Sequence, residues 1–194
     1  MAFIKILSLI TPARVIPHLR ARDVQQAVCE LTRVAAAEAM LDHDMLQHAV
    51  LSHGRSSTFG FGRGVAVPHA AISGLRRPAG VFALLSPSQD FGAADGLPAD
   101  LAFLLLSPEG DPSTHLRTLA QVVRRLRDRD VAARLRSAKG AEAIHAVLTS
   151  DAWRETGPAP ELQLTEMARD VAPRGVSASD LTNGTMCRSL EPLC

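Results

Sequence analysis

At 194 residues, with 46% hydrophobic positions and a formal net charge of +1, the chain holds enough apolar material for one full core. So small a charge excess excludes nucleic acid as the main partner, because non-specific phosphate binding requires a strong basic surplus. Its three cysteines, Cys29, Cys187 and Cys194, are odd in number and lack metal-ligand spacing, which points to a reducing compartment, the cytoplasm.

In chain order, Ile6-Leu7-Ser8-Leu9-Ile10 is apolar after Lys5, but Pro12 and Arg14 cut the run short. Neither a targeting segment nor direct membrane insertion is expected from so brief a stretch. Residues 23–41 read as a helix, with Asp23 as N-cap and Val24, Ala27, Val28, Leu31, Val34 and Ala35 at helical spacing. A second helix starts at Asp42 or Asp44, turns Met45, Leu46, Ala49 and Val50 inward and ends near Gly54. His43, His48 and His53 recur at every fifth position, and each is rotated about 140° from the last on a helix. They cannot share one face, so no metal site is read there and no cofactor is expected.

From Phe59 to Ala70 the chain changes character. Gly60, Gly62 and Gly64 lead through Val65-Ala66-Val67 into Pro68-His69. A glycine-spaced loop can bring backbone N–H groups to an anion, a strand after it gives rigidity, and an imidazole at its end is a nucleophile near neutral pH. The plainer reading of the same residues is a glycine-rich turn before a partly buried histidine. No Walker-type lysine follows, and the glycine spacing is not a dinucleotide fingerprint.

Val81 to Leu85 and Leu101 to Leu106 are continuous apolar runs of strand length, the pattern of strands covered on both faces, with Asp95-Gly96 as a turn between them. Helical period returns from Pro112 to Arg129, with Leu116, Leu119, Val122, Val123 and Leu126 on one stripe. The cluster Arg124, Arg125, Arg127 and Arg129 reads as a solvated face. His115 stands in the first turn of this helix, where the dipole favours a neutral imidazole and a nearby anion. Two short helices, 130–137 and 140–149, are separated at Gly140. His18 and His145 read as ordinary surface or boundary residues. Beyond Trp153 the apolar period dissolves, so the expected organisation is one α/β domain over 1–153 and a disordered tail over 157–194. Strands covered on both faces imply helices on both sides of the sheet.

Gly62-Arg63-Gly64-Val65-Ala66-Val67-Pro68-His69 resembles the signature around the phosphorylated histidine of IIA components of the bacterial phosphoenolpyruvate-dependent phosphotransferase system, of the fructose/mannitol type (type 2). Asp95 to Leu105 is similar to that family's turn and central strand, and His115-Leu116-Arg117-Thr118-Leu119-Ala120 to its helix bearing a second active-site histidine. The opening Ile10-Thr11-Pro12-Ala13-Arg14-Val15 is similar to the nitrogen-regulatory branch, in which IIA stands alone. The resemblance spans roughly residues 5–150 and implies a small mixed sheet flanked by helices on both faces, with His69 and His115 meeting at its edge. Without a gap, the position where the family usually has an arginine falls on His53, and its usual threonine on Phe59.

What the resemblance implies is a phosphocarrier, a phosphotransferase acting through a phosphohistidine, in which His69 accepts a phosphoryl group from a small carrier protein of the HPr or NPr type. His115 would stabilise the phosphoryl group. Gly62, Gly64, Thr58, Arg63 and Arg55 would form its surroundings, without a metal. Two acceptors follow: regulatory target proteins for a nitrogen-regulatory protein, or a IIB domain for a sugar transporter. The absence of a fused IIB-like cysteine segment favours the regulator. A non-catalytic binding module on the same fold is the alternative of another class.

Overall fold

The computed structural model describes residues 8–54 and 58–150. Two long strands, β5 (Ala79–Gln89) and β6 (Ala99–Pro108), form its antiparallel centre. Their side chains alternate between two separate cores. Val81, Ala83, Leu85, Ala102, Leu104 and Leu106 enter one core, and Phe82, Leu101, Phe103 and Leu105 enter the other. Strands that are apolar on both faces need helices on both sides, as the continuous apolar runs predict.

The first face is covered by α1 (Val24–Ala39) and α2 (His43–Gly54), through residues such as Val28, Leu31, Leu46 and Val50. Asp23 caps α1 by accepting from Gln26 N at 2.7 Å, as the sequence predicts. The second face is covered by α3 (Pro112–Arg127), α4 (Arg129–Ser137) and α5 (Ala141–Thr149). Each carries its apolar stripe into the core beside Phe82 and Phe103.

Four shorter strands complete the sheet. β1 (Val15–Leu19) contains Pro17 and His18 and pairs parallel with β5 at the sheet edge, where a missing N–H is tolerated. β3 (Val65–Ala66) and β4 (His69–Ile72) both pair parallel with β6, matching Val65 to Leu101, Ala66 to Ala102 and His69 to Leu105. The offset is the same in all three pairs, so β3 and β4 are one line of chain broken at Val67-Pro68. Leu105 N keeps the ladder closed there by donating to Pro68 O at 2.9 Å. His69 therefore opens a second strand segment after the break. The short β2 (Gly60–Gly62) lies antiparallel outside β3. The order is β1-β5-β6-β3-β2, with β4 also on β6.

Three side chains depart from the expected pattern. Met45 is 40% exposed, because Leu46 and Val50 define the inward line of α2 and Met45 lies a hundred-degree step around the helix. Leu116 is 58% exposed, since the first turn of α3 stays outside the core, which begins at Thr118. Arg125, read as part of a solvated cluster, is only 3% exposed. Its Nη2 donates to Val147 O at 2.7 Å and Ser150 Oγ at 2.9 Å, supplying a donor to a carbonyl that the end of α5 leaves without a helical partner. Burial lowers its pKa below the usual arginine value. The sequence-predicted tail at 157–194 lies outside the described residues.

Close packing of the central pair yields a direct test. A Cβ on Gly80 would stand 2.3 Å from Phe103 Cζ and 2.5 Å from its Cε1, and that ring is wedged in the core. Gly80→Ala should therefore destabilise the fold by about 1–3 kcal/mol, read as a lower urea midpoint at unchanged m-value. A midpoint equal to wild type would show that the ring yields freely.

Candidate active site

Side-chain alternation along the broken strand puts Val65, Val67 and then His69 toward the face of α3, with Ala66, Ala70 and Ile72 toward α1 and α2. Among the described residues no strand lies beyond β4, so the imidazole of His69 can be reached from both layers of helices. It is 7% exposed. His115 approaches from the first turn of α3, with ring centroids 5.3 Å apart. His53 approaches from the last turn of α2, with centroids 4.7 Å apart and the rings nearly edge-on. Phe59 and Phe61 complete the enclosure at 5.8 and 6.5 Å.

The hydrogen bonds assign the nitrogens. Val67 O can only accept, so His69 Nδ1, 2.8 Å away, carries the proton. Nε2 of the neutral ring then holds the lone pair. His53 Nε2 lies 3.1 Å from it and must be the donor of that pair. The His69 pKa is lowered to about 4, chiefly because burial disfavours the charged ring, with smaller contributions from His53 and His115, while the Val67 bond opposes the shift. A buried imidazole with one nitrogen fixed as donor and the other as lone pair is a nucleophile in its reactive form at neutral pH.

His115 is half-buried, and its pKa is also lowered, first by burial and then by the nearby His53. The sequence expectation of a neutral ring agrees in direction, although burial rather than the helix dipole leads the cause. Asp111 fixes the entry of α3 by accepting from Thr114 N at 3.0 Å and Ser113 Oγ at 3.0 Å. His115 Nδ1 is buried without a hydrogen-bond partner. It is a polar atom held ready in the enclosure.

The glycine loop has a different set of neighbours. Gly62, Arg63 and Gly64 all have positive φ, at 78°, 58° and 76°, and form the turn between β2 and β3. Arg63 N donates to Asp95 Oδ2 at 2.7 Å, and Gly64 O accepts from Asp100 N and Leu101 N. A Cβ on Gly62 would come within 2.8 Å of Asp95 Oδ2, and one on Gly64 within 2.8 Å of Asp100 Oδ1 and Arg136 Nη2. These glycines make room for carboxylates, and Asp95 already holds the Arg63 N–H that an anion would require. The Arg63 side chain lines a cleft of about 230 Å³ with Arg127, Arg129 and Arg136. Arg136 is held there by Asp100 at 2.6 and 2.7 Å. Thr58 is exposed and borders another cleft, of about 470 Å³, with Val24, Leu51, Phe59 and Phe91. Arg55 lies outside the described residues. Of the proposed surroundings, then, His69 and His115 are brought together, while Gly62, Gly64, Arg63 and Thr58 serve the neighbouring turn and clefts.

His53 is the site residue that histidine spacing alone misses. Its signal lies in the helix: Leu46, Val50 and His53 stand at i, i+4 and i+7, which puts all three on one side of α2. Among the described residues no group of three or more His, Cys, Asp or Glu is arranged to hold a metal ion.

This mixed α/β architecture is that of type-2 IIA proteins. A nitrogen regulatory protein IIA-Ntr from Neisseria meningitidis superimposes with a TM-score of 0.70 at 24% identity, covering 74% of this chain and 99% of that one. The IIA component in a complex of mannitol IIA with phosphorylated IIB from Escherichia coli superimposes with a TM-score of 0.60 at 15% identity, covering 72% and 96%. The sequence profile described as "Phosphoenolpyruvate-dependent sugar phosphotransferase system, EIIA 2" matches residues 8–151. A nitrogen regulatory protein of Bradyrhizobium diazoefficiens is 38% identical over 143 residues, 74% of this chain and 94% of its own length. The chain belongs to the type-2 EIIA family of the phosphoenolpyruvate-dependent phosphotransferase system, and its relatives include nitrogen regulatory proteins.

The low pKa of His69 has a measurable consequence. An unfolded histidine takes up its proton near pH 6.5, whereas the folded ring does so near 4. Between those values the unfolded chain binds more protons, so this contribution to stability is complete above about pH 6.5 and is lost as pH falls to about 4. Wild type should lose on the order of 2 kcal/mol more than His69→Gln across that window, measured by urea unfolding at a series of pH values. Equal slopes in the two proteins would exclude a buried neutral His69.

Proposed function

We propose that this protein is a phosphoryl carrier of the nitrogen-regulatory type, phosphorylated on Nε2 of His69 by a phosphohistidine of an HPr- or NPr-like protein. The observation that carries this reading is the His69 tautomer: Nδ1 is committed to Val67 O, which leaves the Nε2 lone pair for attack. The step balances without loss of a proton. The His69 lone pair forms the new N–P bond, the donor imidazole keeps the electron pair of the bond that breaks, and the proton on Nδ1 stays in its hydrogen bond to Val67 O. The resulting phosphorylated ring is cationic, so the carbonyl opposite Nδ1 stabilises it in a labile form.

Charge on the transferring phosphoryl group spreads over three oxygens, and donors already in place around them supply most of the catalysis. His115 is suited to this role because Nδ1 is buried and unpartnered and the ring is kept neutral. A protein donor requires an open apolar rim, and Leu116 offers one directly after His115.

Phosphorylation places a dianionic phosphoryl group at one edge of the sheet, a net gain of one negative charge while Nδ1 keeps its proton, and so changes the surface that a partner meets there. We assign the read-out to regulatory target proteins in the cytoplasm, in line with relatives that carry the nitrogen-regulatory name. No helix among the described residues is long and apolar enough to cross a membrane. The mannitol IIA fold is seen with a phosphorylated IIB partner, and a IIB domain is the competing acceptor.

Incubation with a phosphorylated HPr-type donor should add one phosphate to the wild-type mass, acid-labile and absent from His69→Ala. His115→Ala should still be labelled at His69, but roughly 10² to 10³ times more slowly, since it loses one preorganised donor. His115→Gln should recover part of the rate. Labelling of His69→Ala, or an acid-stable label, would refute the assignment.

A further inference from the structure

His53 is exposed at the end of α2, yet its Nε2 reaches 3.1 Å from the lone pair of His69. Both rings cannot be acceptors at that distance, and the His69 proton is fixed on the opposite nitrogen by Val67. His53 therefore donates into the orbital that must attack phosphorus. In the resting protein the nucleophile is hydrogen-bonded, and the direction of attack is occupied.

We propose that His53 is a third catalytic residue, which caps the lone pair of His69 in the resting protein and passes the same N–H to a phosphoryl oxygen once the N–P bond has formed. This deepens the carrier reading and rests on it. An incoming phosphorus must take the place where the His53 N–H now points, so His53 has to yield. Solvent exposure and a position in the last helical turn allow it to do so without disturbing the core. After transfer, the lone pair has become a bond and accepts nothing further, whereas three anionic oxygens stand beside the displaced donor. The same N–H then forms a charge-assisted bond, stronger than the neutral one it replaced. The exchange costs no proton: His53 begins and ends as an N–H donor.

His115 cannot fill this role. Its unpartnered Nδ1 makes no hydrogen bond to the nucleophile, so it supports oxygens only when they are present. The two histidines thus act in different ways. His115 is a standing donor, and His53 follows the phosphoryl group in and holds it. Phe59 steadies the second of these, since its ring lies at 6.5 Å from that of His53 and nearly parallel to it.

Long-range proton–nitrogen spectra of uniformly 15N-labelled protein read the resting half directly. In wild type, His69 Nε2 should resonate as an acceptor that is hydrogen-bonded, and in His53→Ala it should move downfield to the value of a bare lone pair. The second half is read with the phosphorylated HPr-type donor. His53→Ala should take up phosphate at least tenfold more slowly and lose it to hydrolysis faster, and His53→Gln, whose amide also donates, should recover much of both. A merely structural role would give no rescue by Gln and no selective nitrogen shift. The proposal is overturned if His69 Nε2 carries a proton in wild type, if its resonance is unchanged in His53→Ala, or if uptake and hydrolysis in His53→Ala match wild type. A failure of the carrier reading looks different: wild type itself would take up no phosphate.

Discussion

The antiparallel pairing of β5 with β6 is the constraint from which the remaining geometry follows. Both strands are apolar on both faces, so they are stable only with helices packed above and below. That requirement fixes α1 and α2 on one side and α3, α4 and α5 on the other. It also leaves one edge of β6 for the broken line of β3 and β4, whose register places His69 opposite Leu105. Because β4 has no further strand beside it among the described residues, the imidazole lies where side chains of α2 and α3 converge. A closed sheet would have buried the same histidine against one layer alone.

Burial and reactivity are reconciled there by a single backbone carbonyl. An imidazole enclosed by Phe59, Phe61 and two other imidazoles is costly to charge, and its pKa falls to about 4. Neutrality by itself would leave the tautomer open. Val67 O resolves it, because a carbonyl can only accept and so holds the proton on Nδ1.

Several arginines among the described residues serve structural roles or line a separate cleft. Arg125 supports the end of α5, and Arg136 is locked to Asp100 against Gly64. Arg63 joins Arg127, Arg129 and Arg136 in the cleft beside the glycine turn. The rings of His53, Phe59, Phe61 and His115 stand around His69. A hydrogen bond made to the buried His69 ring is stronger than the same bond in water.

Local chemistry was sufficient for much of this. The Asp23 cap, the apolar faces of the helices, the doubly covered central strands and the Pro68-His69 segment are all written in spacing and residue type, because they depend on neighbours within a turn or a strand. The family signature around His69 and the second histidine at His115 were legible for the same reason. The sequence could not show that β3 and β4 are one line broken at a proline, since their shared offset appears only when both lie along β6. It could not show that Arg125 is buried, because its acceptors are 22 and 25 residues away. Nor could it show that the Arg63 N–H of the glycine turn is held by Asp95, 32 residues along the chain. The meeting of His53 with His69 was decided by tertiary structure alone: helical period puts His53 on the line of Leu46 and Val50, but only the open edge of β4 brings that line within hydrogen-bonding distance of a nucleophile.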